Sequence, residues 1–81
     1  MNTIEKLNEN QSRPVYIKNV FGKNINGMLG AVVRGNMRGI FGQASKNGSY
    51  FQVGSVNINT GEIEKMSDEN YRDAQKIIEM L

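Results

Sequence analysis

Residues Val33–Val53, VRGNMRGIFGQASKNGSYFQV, decide the fold of this chain because they hold two turn signals between three strand-like runs. Gly35-Asn36 is a two-residue turn signal that begins with glycine, and Asn47-Gly48 is the strongest short hairpin signal in the sequence. The runs on either side contain β-branched and aromatic residues, which favour strands. The stretch therefore predicts three consecutive antiparallel strands joined by two tight hairpins.

The flanking segments extend this pattern in both directions. We predict strands over residues 15–21, 28–34, 37–45, 49–58 and 62–66. Ser67 is a suitable helix N-cap, and an apolar stripe with helical spacing follows it, formed by Tyr71, Ala74, Ile77, Ile78 and Leu81. A short N-terminal helix, capped by Thr3, would carry Ile4 and Leu7 on one side.

These elements predict a single α+β domain of 81 residues. An antiparallel sheet of four to five strands carries the C-terminal amphipathic helix on one face, after an N-terminal arm over residues 1–13 and a sheet region over residues 14–66. A core of this size supplies only about 3–5 kcal/mol of net stability, and no cysteine is present to form a disulfide. We therefore expect a homodimer.

Without cysteines or an apolar run of about 18 residues, we expect a cytoplasmic location and no membrane contact.

The positive charge of the chain is concentrated in its middle. The net charge is only +2, yet residues 13–61 contain no Asp or Glu and hold six basic residues: Arg13, Lys18, Lys23, Arg34, Arg38 and Lys46. A field of one sign over the middle of a small domain attracts anionic partners, and the plain alternative is a basic face that serves solubility.

The sequence lacks the side chains that most often perform catalysis. It has no histidine and no cysteine, and all 8 carboxylates lie outside residues 13–61. Ligands for soft and borderline metals are absent. The glycines at 35, 39 and 42 match neither the dinucleotide-binding nor the P-loop fingerprint. We therefore expect a protein that is not an enzyme and needs no cofactor or metal.

Tight hairpins would pair Arg34 with Met37, Val33 with Arg38, and Ala44 with Phe51, and this pairing sorts the side chains onto two faces. The predicted core face is apolar and contains Leu29, Ala31, Val33, Ile40, Gly42, Ala44, Phe51 and Val53. Arg38 falls near the end of this face, where its long stem should let the guanidinium reach water. The opposite face is mixed and contains Met28, Gly30, Val32, Arg34, Met37, Gly39, Phe41, Gln43, Tyr50, Gln52, Gly54 and Val56.

A basic sheet surface with aromatic side chains suggests binding of RNA or other single-stranded nucleic acid. The candidate phosphate contacts are Lys18, Arg34, Arg38 and Lys46, the candidate stacking residues are Tyr16, Phe41 and Tyr50, and the candidate adaptable hydrogen-bonding groups are Gln43 and Gln52. The C-terminal helix is a poor recognition helix because its net charge is negative. Packing of the same rings in a dimer interface is the alternative explanation.

The small, Asn- and Lys-rich chain resembles the accessory proteins of large lytic bacteriophages, which often bind and redirect host or defence factors. The resemblance rests on composition and assigns a role to no residue. It implies an alternative function, inhibition of a host or defence protein in the host cytoplasm. The mixed face, or the strand edge that begins at Val15, would then dock onto an acidic protein partner.

Overall fold

The computed structural model describes residues 2–81 and confirms the α+β prediction. Its elements in chain order are α1 (Thr3–Asn8), β1 (Val15–Ile17), β2 (Gly27–Arg34), β3 (Met37–Gln43), β4 (Tyr50–Asn57), β5 (Ile63–Lys65) and α2 (Asp68–Glu79). The strands form one antiparallel sheet in the order β1-β2-β3-β4-β5. Every strand thus lies beside its neighbour in sequence, and both helices pack on the same face.

The first strand is shorter than predicted. β1 ends at Ile17, whereas the alternating pattern extended to Phe21. Asn19, Lys23 and Asn24 adopt positive φ angles of 58°, 51° and 62°, which belong to the left-handed region and not to a strand. The segment after β1 is therefore a series of turns that leads into β2.

The turn between β2 and β3 confirms the first hairpin signal. Arg34 pairs with Met37, so Gly35-Asn36 is a two-residue connection. Gly35 adopts a φ of 51°, which glycine reaches without a steric penalty.

The two-residue turn predicted at Asn47-Gly48 is wrong. β3 ends at Gln43 and β4 begins at Tyr50, so the connection is longer. It contains a turn in which the Gly48 N–H donates to the carbonyl of Ser45 at 2.9 Å, and Asn47 adopts a φ of 61°.

An irregularity in β2 changes the predicted faces. Leu29 pairs with Ile40, but Val32 pairs with Arg38, and the register shifts on both sides of Val32. An extra residue in one strand reverses the alternation of the side chains beyond it. Val32, predicted on the opposite face, therefore packs against the core, while Val33, predicted in the core, is 82% exposed.

A second irregularity lies between β3 and β4. Ile40 pairs with Gly54, but the next residue, Phe41, pairs with Gln52, so Val53 is the extra residue. Val53 itself is buried. Two residues predicted on the opposite face are also buried under the helices as a result: Gly54 and Val56.

Three further members of the predicted core face are not in the core. Ala44 lies exposed in the turn after β3. Phe51 pairs with Gly42 instead of Ala44 and is 42% exposed. Ala31 borders a depression on the face without helices.

The core forms between the sheet and the two helices. Leu7 of α1 is fully buried, and α2 contributes Ala74 and Ile77, which confirms the apolar stripe. The Ser67 hydroxyl caps α2 by accepting from the Asn70 N–H at 3.1 Å. α1 is capped by Asn2 instead of Thr3, because the Asn2 side chain accepts from the N–H of residue 5 at 2.9 Å.

Candidate functional site

The sheet face without helices, called the free face below, carries all five of the predicted stacking and hydrogen-bonding residues. It comprises Tyr16, Met28, Gly30, Arg34, Met37, Gly39, Phe41, Gln43, Tyr50, Gln52, Ser55 and Glu64. Tyr16, Met28, Phe41 and Gln52 form one row across four strands, and Tyr50 pairs with Gln43 in the adjacent row. The structure therefore brings the three predicted stacking residues to one surface.

Tyr16 and Tyr50 contact each other although they belong to β1 and β4. Their ring centroids lie 6.0 Å apart with an angle of 58° between the planes. In a flat sheet, three spacings of about 4.8 Å would separate these backbones. The contact between the rings therefore spans the two strands that separate them, and Tyr16 keeps 59% of its surface exposed.

The Phe41 ring packs against the sheet because two glycines leave room for it. A Cβ added at Gly39 would lie 2.7 Å from Phe41 Cε1, and one added at Gly30 would lie 3.0 Å from the same atom. The ring and the two glycines border an open depression of about 340 Å³. The other residues around the depression are Ala31, Val33, Arg34, Met37, Gln52 and Ser55.

Gln52 keeps one hydrogen-bonding atom free. Its Nε2 donates to the Gly54 carbonyl and lies 3.2 Å from the Ser55 hydroxyl oxygen as well. Since a carbonyl can only accept, the amide orientation is determined and Oε1 is the free atom. Among the hydrogen bonds of residues 2–81, none involves Gln52 Oε1. This placement agrees with the prediction that Gln52 is available for hydrogen bonding.

The side-chain amide of Gln43 is not free to hydrogen-bond to a ligand, contrary to what the sequence suggested. Its Oε1 accepts from the Asn26 N–H at 2.9 Å, and its Nε2 donates to the Gly48 carbonyl at 3.0 Å. The side chain thus joins the start of β2 to the turn after β3. Gln43 is a structural residue, and the expectation that it adapts to a ligand is wrong.

The expectation that Arg38 reaches water is also wrong. Its side chain is 0% exposed, and the guanidinium donates to four main-chain carbonyls: Gly30 at 2.6 Å, Leu7 at 2.7 Å, Glu9 at 3.0 Å and Arg13 at 3.1 Å. Burial lowers the pKa of Arg38, although a guanidinium stays charged in proteins. With four hydrogen bonds to main-chain carbonyls and no exposed surface, Arg38 is not available for a phosphate contact.

The remaining basic candidates lie at two ends of the sheet. Lys18 follows β1 directly, and Lys46 lies in the turn between β3 and β4; both are exposed near the Gly27–Gly42 pair. Arg34 is exposed at the opposite end, beside the turn between β2 and β3. The free face therefore has positive charge at both ends of its strands.

No protein-family model, curated protein or solved structure matches this chain.

The sequence reasoning missed two features of the free face. Ser55 lines the depression, and Glu64 pairs with Ser55 across β4 and β5. Glu62, which directly precedes β5, is exposed near Glu64. The edge of the free face at β5 is therefore acidic. The glycine at position 54 was the available signal, because an isolated glycine inside a strand often accompanies a bulge, and the bulge places Ser55 on this face.

A second concavity lies beside the exposed edge of β1. It measures about 420 Å³ and is lined by Lys6, Glu9, Asn10, Val15, Tyr16, Ile17, Lys18, Met80 and Leu81. Tyr16 and Lys18 border both this groove and the end of the free face.

Within residues 2–81, no group of three or more acidic side chains could hold a metal ion, and no helix is long and apolar enough to cross a membrane.

Proposed function

We propose that this protein binds RNA or other single-stranded nucleic acid through the free face. The observation that carries the proposal is the Phe41 ring, which lies against two glycines and borders an open depression on the free face. Tyr16 and Tyr50 lie on the same face. Planar rings on an uncovered sheet suit unpaired bases, and each stacked base adds about 1–3 kcal/mol.

The charges of the surface support the same function. Lys18, Arg34 and Lys46 are exposed around the aromatic residues, so each is available for a phosphate. The acidic β5 edge would repel phosphates and direct the backbone of a bound strand toward β1 and β2. Helix α2 covers the other face and carries net negative charge, which leaves the sheet as the binding surface.

The test is a titration of labelled single-stranded RNA at several salt concentrations. About three phosphate contacts predict a slope of roughly −2 for the logarithm of the binding constant against the logarithm of the salt concentration. Arg34→Ala should weaken binding and reduce the magnitude of this slope by about 0.7, because it removes one phosphate contact.

Arg72→Ala is the matched control. It removes one exposed positive charge from α2 on the covered side of the molecule. We expect Arg72→Ala to bind RNA like the parent protein. Absence of binding at low salt, or equal effects of the two substitutions, would refute the proposal.

The groove beside β1 supports a second candidate function, inhibition of a host or defence protein. The exposed edge of β1 could pair with an extended segment of an acidic partner, whose side chains would enter the groove near Lys6 and Lys18. Pull-down from host lysate after nuclease treatment separates the two functions. A protein that stays bound after nuclease treatment would favour inhibition, whereas a partner lost with the nucleic acid would favour RNA binding.

A further inference from the structure

The depression beside Phe41 is lined by an aromatic ring and, on another side, by a polar wall. The Phe41 ring lies against Gly30 and Gly39, and these three residues line the depression together. The wall consists of Gln52 and Ser55 on β4. An aromatic ring beside polar groups matches a nucleobase, which is apolar on its faces and polar around its rim.

The wall presents one acceptor and one donor next to each other. Gln52 Oε1 is a free acceptor because Nε2 is committed to Gly54 and Ser55. The Ser55 hydroxyl oxygen accepts from Gln52, so its own O–H can donate elsewhere. Adjacent acceptor and donor groups are the complement of the Watson–Crick edge of a base, for example the amino group and N1 of adenine.

The charges around the depression assign an orientation to the nucleotide. Arg34 lies on the β2 side of Phe41, whereas Glu64 lies beyond Ser55 on the β5 side. Two strand spacings, roughly 9–10 Å, separate β2 from β4. This span suits a nucleotide whose phosphate contacts Arg34 and whose base edge points toward Gln52 and away from the phosphate-repelling carboxylate.

We propose that this depression binds one unpaired nucleobase, stacked on Phe41, and reads its Watson–Crick edge with Gln52 and Ser55. The inference rests on the proposed function and extends it by naming the part of the base that the protein recognises. The edge recognised here is the edge that forms base pairs in a duplex. Duplexes should therefore be excluded from the depression, and modifications on that edge should weaken binding.

The test compares three short single strands of equal length. One contains adenine, one contains N6,N6-dimethyladenine, which keeps the rings but loses the amino donor, and one is abasic. We expect the dimethyl strand to bind about tenfold more weakly than the adenine strand, and the abasic strand to bind more weakly still.

Gln52→Met tests the contact itself, because it keeps a side chain of similar length but removes the acceptor. The difference between adenine and dimethyladenine should disappear in this variant. Gln75→Met, an exposed substitution on α2, should preserve the difference. Thermal melting of both variants confirms that they fold, and Ser55→Ala provides a second variant on the same wall.

The outcomes distinguish this inference from the function on which it rests. Strands that bind the parent protein equally with and without the two methyl groups would overturn the inference and leave RNA binding intact. A difference that persists in Gln52→Met would overturn it too, because the methyl groups would then act elsewhere. No binding of any strand at low salt would refute both proposals and would leave the depression to a protein partner or a second copy of the chain.

Discussion

Arg38 holds the N-terminal arm against the sheet. Three of its four carbonyl partners, Leu7, Glu9 and Arg13, belong to the arm, and the fourth, Gly30, lies in β2. Within residues 2–81, no carboxylate forms an ion pair with the buried guanidinium, and the desolvation that lowers its pKa opposes burial of the charge. The charge is therefore stabilised by hydrogen bonds to carbonyl dipoles, which makes this side chain unusually sensitive to substitution.

We expect Arg38→Met to reduce the free energy of unfolding by at least about 3 kcal/mol, because several buried carbonyls would lose their donors at about 1–3 kcal/mol each. Urea denaturation measures the loss. Arg34→Met is the matched control, since it replaces an exposed arginine on the neighbouring strand and should change stability by less than about 0.5 kcal/mol. Similar denaturation midpoints for the two variants would contradict the structural role of Arg38.

At the scale of elements, the stability of α2 depends on the capping of its first turn. The Ser67 hydroxyl accepts from the Asn70 N–H, and Lys65 and Asp68 form an ion pair beside the cap. The ion pair is exposed and contributes little. The helix also packs closely against β2, where a Cβ added at Gly27 would lie 2.6 Å from Ile77 Cγ1. Capping and this close packing together position the helix on the sheet.

Ser67→Ala should lower the free energy of unfolding by about 1 kcal/mol, because the helix N-terminus loses its capping acceptor. Thermal melting followed by circular dichroism measures the change. Ser49→Ala, in the exposed turn after β3, removes a hydroxyl that caps no helix and should have little effect on stability. If Ser67→Ala melts like the parent protein, the cap does not stabilise α2.

At the scale of the whole molecule, the free face is open to more than one kind of partner. A homodimer remains our expectation from the small core, from the apolar residues on this face and from Val33 beside the depression, which is 82% exposed. A second copy would cover the rings proposed to bind nucleic acid. Self-association and RNA binding through the free face should therefore compete.

Light scattering tests this competition. We expect a dimer at high micromolar protein concentration and conversion to a monomer bound to RNA when a saturating short single strand is added. A monomer without RNA would remove the dimer prediction. A dimer that binds RNA and keeps its subunit contact would assign the dimer interface to another surface.

The sequence by itself determined the order and type of the elements and the distribution of charge. Ser67 and the stripe of α2, the Gly35-Asn36 turn and the acid-free middle of the chain are local patterns, and local patterns report periodicity, turn chemistry and composition directly. For the same reason the placement of Tyr16, Phe41 and Tyr50 on one face followed from alternation within short runs.

Only the tertiary structure decided the strand register and which polar side chains are engaged inside the fold. The irregularities near Val32 and Val53 depend on cross-strand contacts, and each one reverses the faces beyond it. Arg38 and Gln43 resemble exposed binding residues in the sequence, but carbonyls and an N–H supplied by distant segments engage them. Those partners come together only when the arm, the turns and the sheet fold against one another, so the sequence pattern around each residue cannot contain them.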